Sequence, residues 1–211
     1  MKKIFVNEVG PRDGLQNIDI ILNIDERFQL IQSLERAGIN SLEVGSFVSP
    51  KAVPAMDKTD ALLEKLSTGN SNYSVLIPNT HGYKQAKENK VKEVCLVLCA
   101  TESMNMENIN KNIKDTITEF KEIIKMAKKD QIRTKIYISV AFECPYEGPV
   151  NSQYVYDLTK EFVSYGINEV VIADTIGAGN PNQVQKVFRE LVKDFGSSVF
   201  SAHFHDTRLL A

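Results

Sequence analysis

The chain has 211 residues, 43% of them hydrophobic and 25% charged, with a net formal charge of −2. That length suits one domain with a sizeable core, and the balanced charge offers no basic excess for nucleic acid. No apolar run approaches the length of a membrane span. Met1-Lys2-Lys3 starts like a signal peptide, but Asn7, Glu8 and Arg12 interrupt any apolar stretch behind it. The three cysteines lack a small-scaffold pattern and are read as reduced thiols, in a soluble, cytoplasmic protein.

Short β-branched runs alternate with longer helical stretches, and Gly, Pro or Asn clusters mark the joints. A first strand is expected at Ile4–Val9, ending in Gly10-Pro11. Asp25 and Glu26 open a helix with Phe28, Ile31 and Leu34 at helical spacing, stopped by Gly38. Further strands are expected at Ser41–Gly45, Tyr73–Ile77, Glu93–Cys99, Lys135–Ala141, Glu169–Ala173 and Val199–Phe204. Between them, helices are expected near Thr59–Leu66, Gly82–Asn89, Ile109–Lys129 and Ser152–Tyr165. Another begins at Pro181, behind the N-cap Asn180, and reaches Phe195. No linker or low-complexity tract breaks the series, so residues 1–211 are read as a single domain.

Seven strands alternating with six helices predict a parallel sheet, open or closed. Polar residues follow nearly every strand: Arg12 and Asp13, Glu43 and Ser46, Asn79, Glu143, Asp174, His203 and His205. An open sheet concentrates its site at one switch point, whereas a barrel gathers groups from every strand end around one mouth. The pattern predicts an α/β fold of the (β/α)8 TIM-barrel type, incomplete, with helix 7, strand 8 and helix 8 absent. Strand edges left open in this way predict either self-association into a homo-oligomer or a poorly stable monomer, and activity near background for the 211-residue chain alone.

One carboxylate, Asp13, and two imidazoles at i and i+2, His203 and His205, form a candidate metal set if their strands are neighbours. With Glu43 and Asp174 nearby, the set suits a hard divalent ion, Mg²⁺ or Mn²⁺. Arg12 is a permanent cation fitted to stabilise an enolate or carboxylate oxygen, or to bridge to Glu43. Lys51 is either a solvated lysine or a contact for phosphate groups. His81 is read as a surface or capping histidine. Cys95 and Cys99 are read as small packed side chains on one strand face, and Met104 and Met106 as loop cover.

The motifs GPRDGLQN, SFVSPKAVPAMD, AFECPYEGPV, DTIGAGNP and HFHDT resemble, in that order, those of 3-hydroxy-3-methylglutaryl-CoA lyase, a metallolyase TIM-barrel family. The likeness runs from about Phe5 to Arg208. SFVSPK-x-VP and CPYEG are its more specific marks, and H-F-H-D-T departs from the H-x-H-N-D of the related synthases. The resemblance implies cleavage of 3-hydroxy-3-methylglutaryl-CoA to acetyl-CoA and acetoacetate through a metal-bound alkoxide and a thioester enolate. It implies Asp13, His203 and His205 as metal ligands, and Arg12 as the enolate-stabilising residue. Gln16, Glu43 and Asp174 become active-site groups, and His203 a participant in proton transfer. The family's remaining ligand, an asparagine, and its catalytic cysteine follow strand 8, outside this chain; Cys144 is read as a loop residue. A related aldol-type enzyme acting on another acyl-CoA or a 2-oxo acid, or an inactive fragment that only binds, are the alternatives.

Overall fold

The computed structural model describes residues 4–69, 71–207 and 209. The signal-like start at Met1-Lys2-Lys3 lies outside these residues, as does Arg208 at the end of the resemblance. The chain divides into two compact units, one running up to Cys95 and the other from Leu96 on.

In the first unit a helix, α1 (Ile24–Arg36), starts from a capping box. Asn23 accepts from the amides of Asp25 and Glu26, and the Glu26 carboxylate accepts from the Asn23 amide. Such a cap stabilises a helix by about 1 kcal/mol. Strand β1 (Ser41–Ser46) follows, then helix α2 (Thr59–Leu66), strand β2 (Asn72–Leu76), helix α3 (Thr80–Glu88) and the start of strand β3 (Glu93–Cys99). β1 pairs with β2, and β2 with the start of β3, in parallel.

The strand expected at Ile4–Val9 is reduced to one parallel bridge, Glu8 with Leu42. The Glu8 amide donates to Ser41 O (2.9 Å) and the Glu43 amide donates to Glu8 O (2.8 Å). Ile4, Phe5 and Val6 stay 86%, 83% and 65% exposed. β-branched composition alone does not make a strand; a ladder partner is needed, and Glu8 finds one in Leu42.

The second unit holds the rest of β3, helices α4 (Glu102–Ile109) and α5 (Ile113–Asp130), and strand β4 (Arg133–Ser139). The AFECPYEGPV loop then folds into a short antiparallel ribbon of β5 (Glu143–Cys144) and β6 (Gly148–Pro149). Helix α6 (Ser152–Tyr165), strand β7 (Glu169–Asp174), helix α7 (Pro181–Phe195) and strand β8 (Phe200–Phe204) complete it. β4 pairs with β7, and β7 with β8, in parallel. Met104 and Met106 sit on α4, and the long helix begins only at Ile113, where Asn112 caps it. ESMNMENI has no clear apolar stripe, which is why its helix was not legible.

The sheet order β1-β2-β3-β4-β7-β8 follows chain order. A doubly wound sheet reverses its order at a switch point; this one never does. The fold is of the TIM-barrel type, with six strands in the sheet where seven were expected. Leu42, Val44, Val75, Val94, Leu96, Leu98, Ile136, Ile138, Val170 and Ile172 are all fully buried, as parallel strands covered by helices require. Among the described residues no helix is long and apolar enough to cross a membrane.

Candidate active site and metal centre

In the first unit the GPRDG sequence (Gly10–Gly14) forms a single wide helical turn. The amides of Arg12 and Asp13 both donate to Val9 O, at 3.0 and 2.7 Å. Pro11, fixed in φ and lacking a donor, opens the turn at little cost. Arg12 is thereby carried inward and is 6% exposed. Its Nε donates to Glu43 Oε1, and its Nη1 donates to Asp13 Oδ1 at 3.0 Å. Glu43 is fully buried on β1. Gln16 Nε2 donates to Asp13 Oδ1 (3.2 Å), and Asn17 Nδ2 to Asp13 O (2.8 Å). Four of the sequence-predicted residues, Arg12, Asp13, Gln16 and Glu43, thus form one connected cluster.

Lys51 is exposed in the loop between β1 and α2. His81 is exposed in the first turn of α3, and the side chain that caps this helix belongs to Asn79.

In the second unit β8 ends at the histidine pair. His203 and His205 are half-buried, with their Nε2 atoms 2.9 Å apart and ring centroids 4.9 Å apart. Two neighbouring ligands on an octahedral ion with bonds of about 2.1 Å lie about 3.0 Å apart, so this spacing fits two nitrogens turned toward one cation. Tyr137 on β4 meets the His203 ring edge-on at 5.9 Å and helps fix its plane.

Asp174, at the end of β7, is 4% exposed. Its Oδ1 accepts from the Ala178 amide and its Oδ2 from the Gly179 amide, both at 2.9 Å. The carboxylate therefore organises the DTIGAG loop. A Cβ on Gly179 would lie 3.0 Å from Asp174 Oδ2 and 3.1 Å from the Phe142 ring, which explains the glycine. Thr175, which the sequence did not single out, accepts from the Val140 amide at 2.9 Å. Val140 follows β4 at φ +49°, a left-handed conformation costly for a β-branched residue and typical of strained functional loops.

The cysteines are all buried. Cys144 accepts from Thr101 Oγ1 (3.0 Å) and the Tyr146 amide (3.4 Å). Burial pushes its thiol up, but the Thr101 hydroxyl, the Tyr146 and Glu147 amides and the Ser103 hydroxyl together bring it below its ordinary value. A groove of about 560 Å³ lined by α4, α5 and α6, with Tyr154, Tyr165 and Lys121 among its residues, contains none of the sequence-predicted site groups.

The motif order, the turn holding Arg12 and Asp13, and the histidine pair closing β8 meet a matching profile: residues 3–211 match the HMGL-like family. The chain belongs to the HMGL-like family. It is 37% identical to the hydroxymethylglutaryl-CoA lyase YngG of Bacillus subtilis over 98% of this chain and 70% of that one. It is also 37% identical to the human mitochondrial hydroxymethylglutaryl-CoA lyase, over 98% of this chain and 64% of the relative. The solved structure of the Bacillus subtilis enzyme superposes with a TM-score of 0.95 at 36% identity, covering 99% of this chain and 70% of that one. A lyase from Acinetobacter baumannii, solved in complex with coenzyme A and 3-methylmalate, gives 0.92 at 31% identity over 97% of this chain and 67% of that one. This HMGL-like chain is a carbon–carbon lyase by descent and spans about two thirds of these relatives' length.

Proposed function

We propose that the chain cleaves 3-hydroxy-3-methylglutaryl-CoA to acetyl-CoA and acetoacetate with the help of a divalent ion, Mg²⁺ or Mn²⁺. Asp13 of the first unit and His203 and His205 of the second would hold that ion. One oxygen and two nitrogens suit it, the histidine nitrogens already stand at ligand spacing, and Arg12 and Gln16 turn Asp13 Oδ1 into a fixed donor. When bound, the ion supplies Lewis acidity toward the substrate's oxygens.

The observation that carries the reading is the buried guanidinium of Arg12 held between Asp13 and Glu43. In the cleavage the C3 hydroxyl loses its proton and the C2–C3 bond breaks. C3 becomes the ketone of acetoacetate, and the electron pair passes to the thioester as an enolate, which takes a proton at C2 to give acetyl-CoA. A fixed, desolvated cation stabilises the enolate oxygen far better than a solvated one. Glu43 aims Arg12, Gln16 aims Asp13, and Asp174 shapes the loop beside the histidine strand. Lys51, exposed on its loop, is assigned the CoA phosphates.

The test is product analysis of the purified chain with 3-hydroxy-3-methylglutaryl-CoA and Mg²⁺ or Mn²⁺, because even a slow reaction identifies itself by its products. Equal amounts of acetyl-CoA and acetoacetate, suppressed by a chelator, are expected. Consumption of a 2-oxo acid without acetoacetate formation would overturn the proposal in favour of a related aldol-type enzyme.

A further inference from the structure

β1 is irregular in a way that sets the site. Its register to β2 runs Glu43 with Ser74, Gly45 with Val75 and Ser46 with Leu76, so Val44 is an extra residue bulged between Glu43 and Gly45. Ser74 and Leu76 share one face of β2, and their partners Glu43 and Ser46 therefore share one face of β1 although they are three residues apart. Without the bulge Ser46 would point to the opposite face. Both are buried on that face, Glu43 holding Arg12 and Ser46 presenting a hydroxyl that makes no hydrogen bond among the described residues.

The bulged residue frees a carbonyl from the ladder, and that carbonyl is taken by Arg27. This arginine lies on α1 and is 2% exposed. Its Nη2 donates to Val44 O at 3.3 Å, and its Nη1 donates to Asp57 O at 2.9 Å. Asp57 is the last residue of the SFVSPKAVPAMD loop, just before α2. One guanidinium thus ties the bulge of the Glu43 strand to the far end of the loop that follows it. Gly45 makes room: a Cβ there would lie 2.7 Å from Thr59 Oγ1 and 3.0 Å from Arg27 Nη2. Burial of this cation costs desolvation that the Asp57 charge only partly offsets, and its Nε has no hydrogen-bond partner among the described residues. The geometry fits a role in placement better than one in stability.

We propose that Arg27 is a positioning residue for the lyase reaction, holding the β1 bulge so that Glu43 meets Arg12 and Ser46 shares its face. This rests on the lyase reading above. It works through Glu43, and a loss of placement of about 1 Å at a catalytic group can cost roughly a hundredfold in rate.

The experiment is a double-mutant cycle in the full chain, joined to amide hydrogen exchange without substrate. Arg27→Met should lower kcat by about a hundredfold with KM within about threefold, and should speed exchange at the amides of Gly45, Ser46 and Phe47 at least about tenfold. Arg27→Lys, which keeps the charge and can reach only one carbonyl, should fall between the two and serves if Arg27→Met does not fold. In a Glu43→Gln background the same substitution should change kcat by less than about threefold, because Glu43 no longer aims Arg12. A purely structural arginine would lower the melting temperature and leave kcat unchanged, or lower kcat equally in both backgrounds; either result overturns the proposal. If the parent chain forms no acetoacetate, the lyase reading fails by itself. The exchange measurement then decides alone, with unchanged exchange at Gly45–Phe47 refuting the role.

Discussion

Arg12 and Glu43, 31 residues apart in sequence, are hydrogen-bonded through Nε and Oε1 inside the first unit, both almost wholly shielded from solvent. The pair joins the turn that carries Asp13 to the strand that carries Ser46. A cation placed there has its orientation set before any substrate arrives, which is the condition for strong transition-state stabilisation.

Replacing Arg12 by lysine keeps the charge and loses the planar fork that reaches Glu43 and Asp13 together. In a version extended to the full length of its relatives, turnover should fall by about two to three orders of magnitude while Mn²⁺ binding weakens by less than about tenfold. A loss below tenfold in the same steady-state assay would make the arginine structural.

Glu43→Gln removes the Glu43 charge from beside the buried Arg12 guanidinium. Breaking a buried pair in this way should cost about 3 kcal/mol, read as a lower urea midpoint at unchanged slope. An unchanged midpoint would mean that the pair gives orientation without stability.

Much of this was legible in the sequence. Glu93–Cys99 and Ser152–Tyr165 match their expected bounds, and Asn180-Pro181 opens α7 as read, because strong periodicity and a capping residue agree there. Arg12, Asp13, Gln16 and Glu43 were found because each is a polar residue in or just after an apolar run read as a strand. Arg27 was not. It occupies the apolar stripe of α1 with Ile31 and Leu34, and an arginine on such a face reads as solvated until a bulge carbonyl is known to need it. Bulges depend on register with the neighbouring strand, and a single sequence does not show register.

Gly45→Ala should be overpacked, since its Cβ would press on Thr59 and Arg27. A loss of about 1–3 kcal/mol is expected, and Thr59→Ala added to it should cost less than the two single changes summed. Strict additivity in thermal unfolding would contradict that packing.

The thiols give a pH test. Burial above all pushes Cys99 up to about 11, with the Asn108 amide opposing. Its folded pKa is above the ordinary thiol value near 9, so its stabilising effect is complete below pH 9 and is lost as pH rises toward 11. Cys144, shifted the other way, contributes above the ordinary thiol value and loses that contribution only as pH falls through its folded value. Between pH 8 and pH 10 the parent should therefore lose about 1 kcal/mol of stability that Cys99→Ala does not lose. Parallel pH profiles for the two proteins would refute the assignment.

The most direct measurement of the central claim is the stoichiometry of Mn²⁺ binding by electron paramagnetic resonance, for the parent chain and for Asp13→Ala, His203→Ala and His205→Ala. If these three side chains hold one ion, the parent binds one Mn²⁺ per chain, and each substitution weakens binding at least about tenfold without altering the circular dichroism spectrum. One tight Mn²⁺ retained at unchanged affinity in His205→Ala and Asp13→Ala would contradict the account.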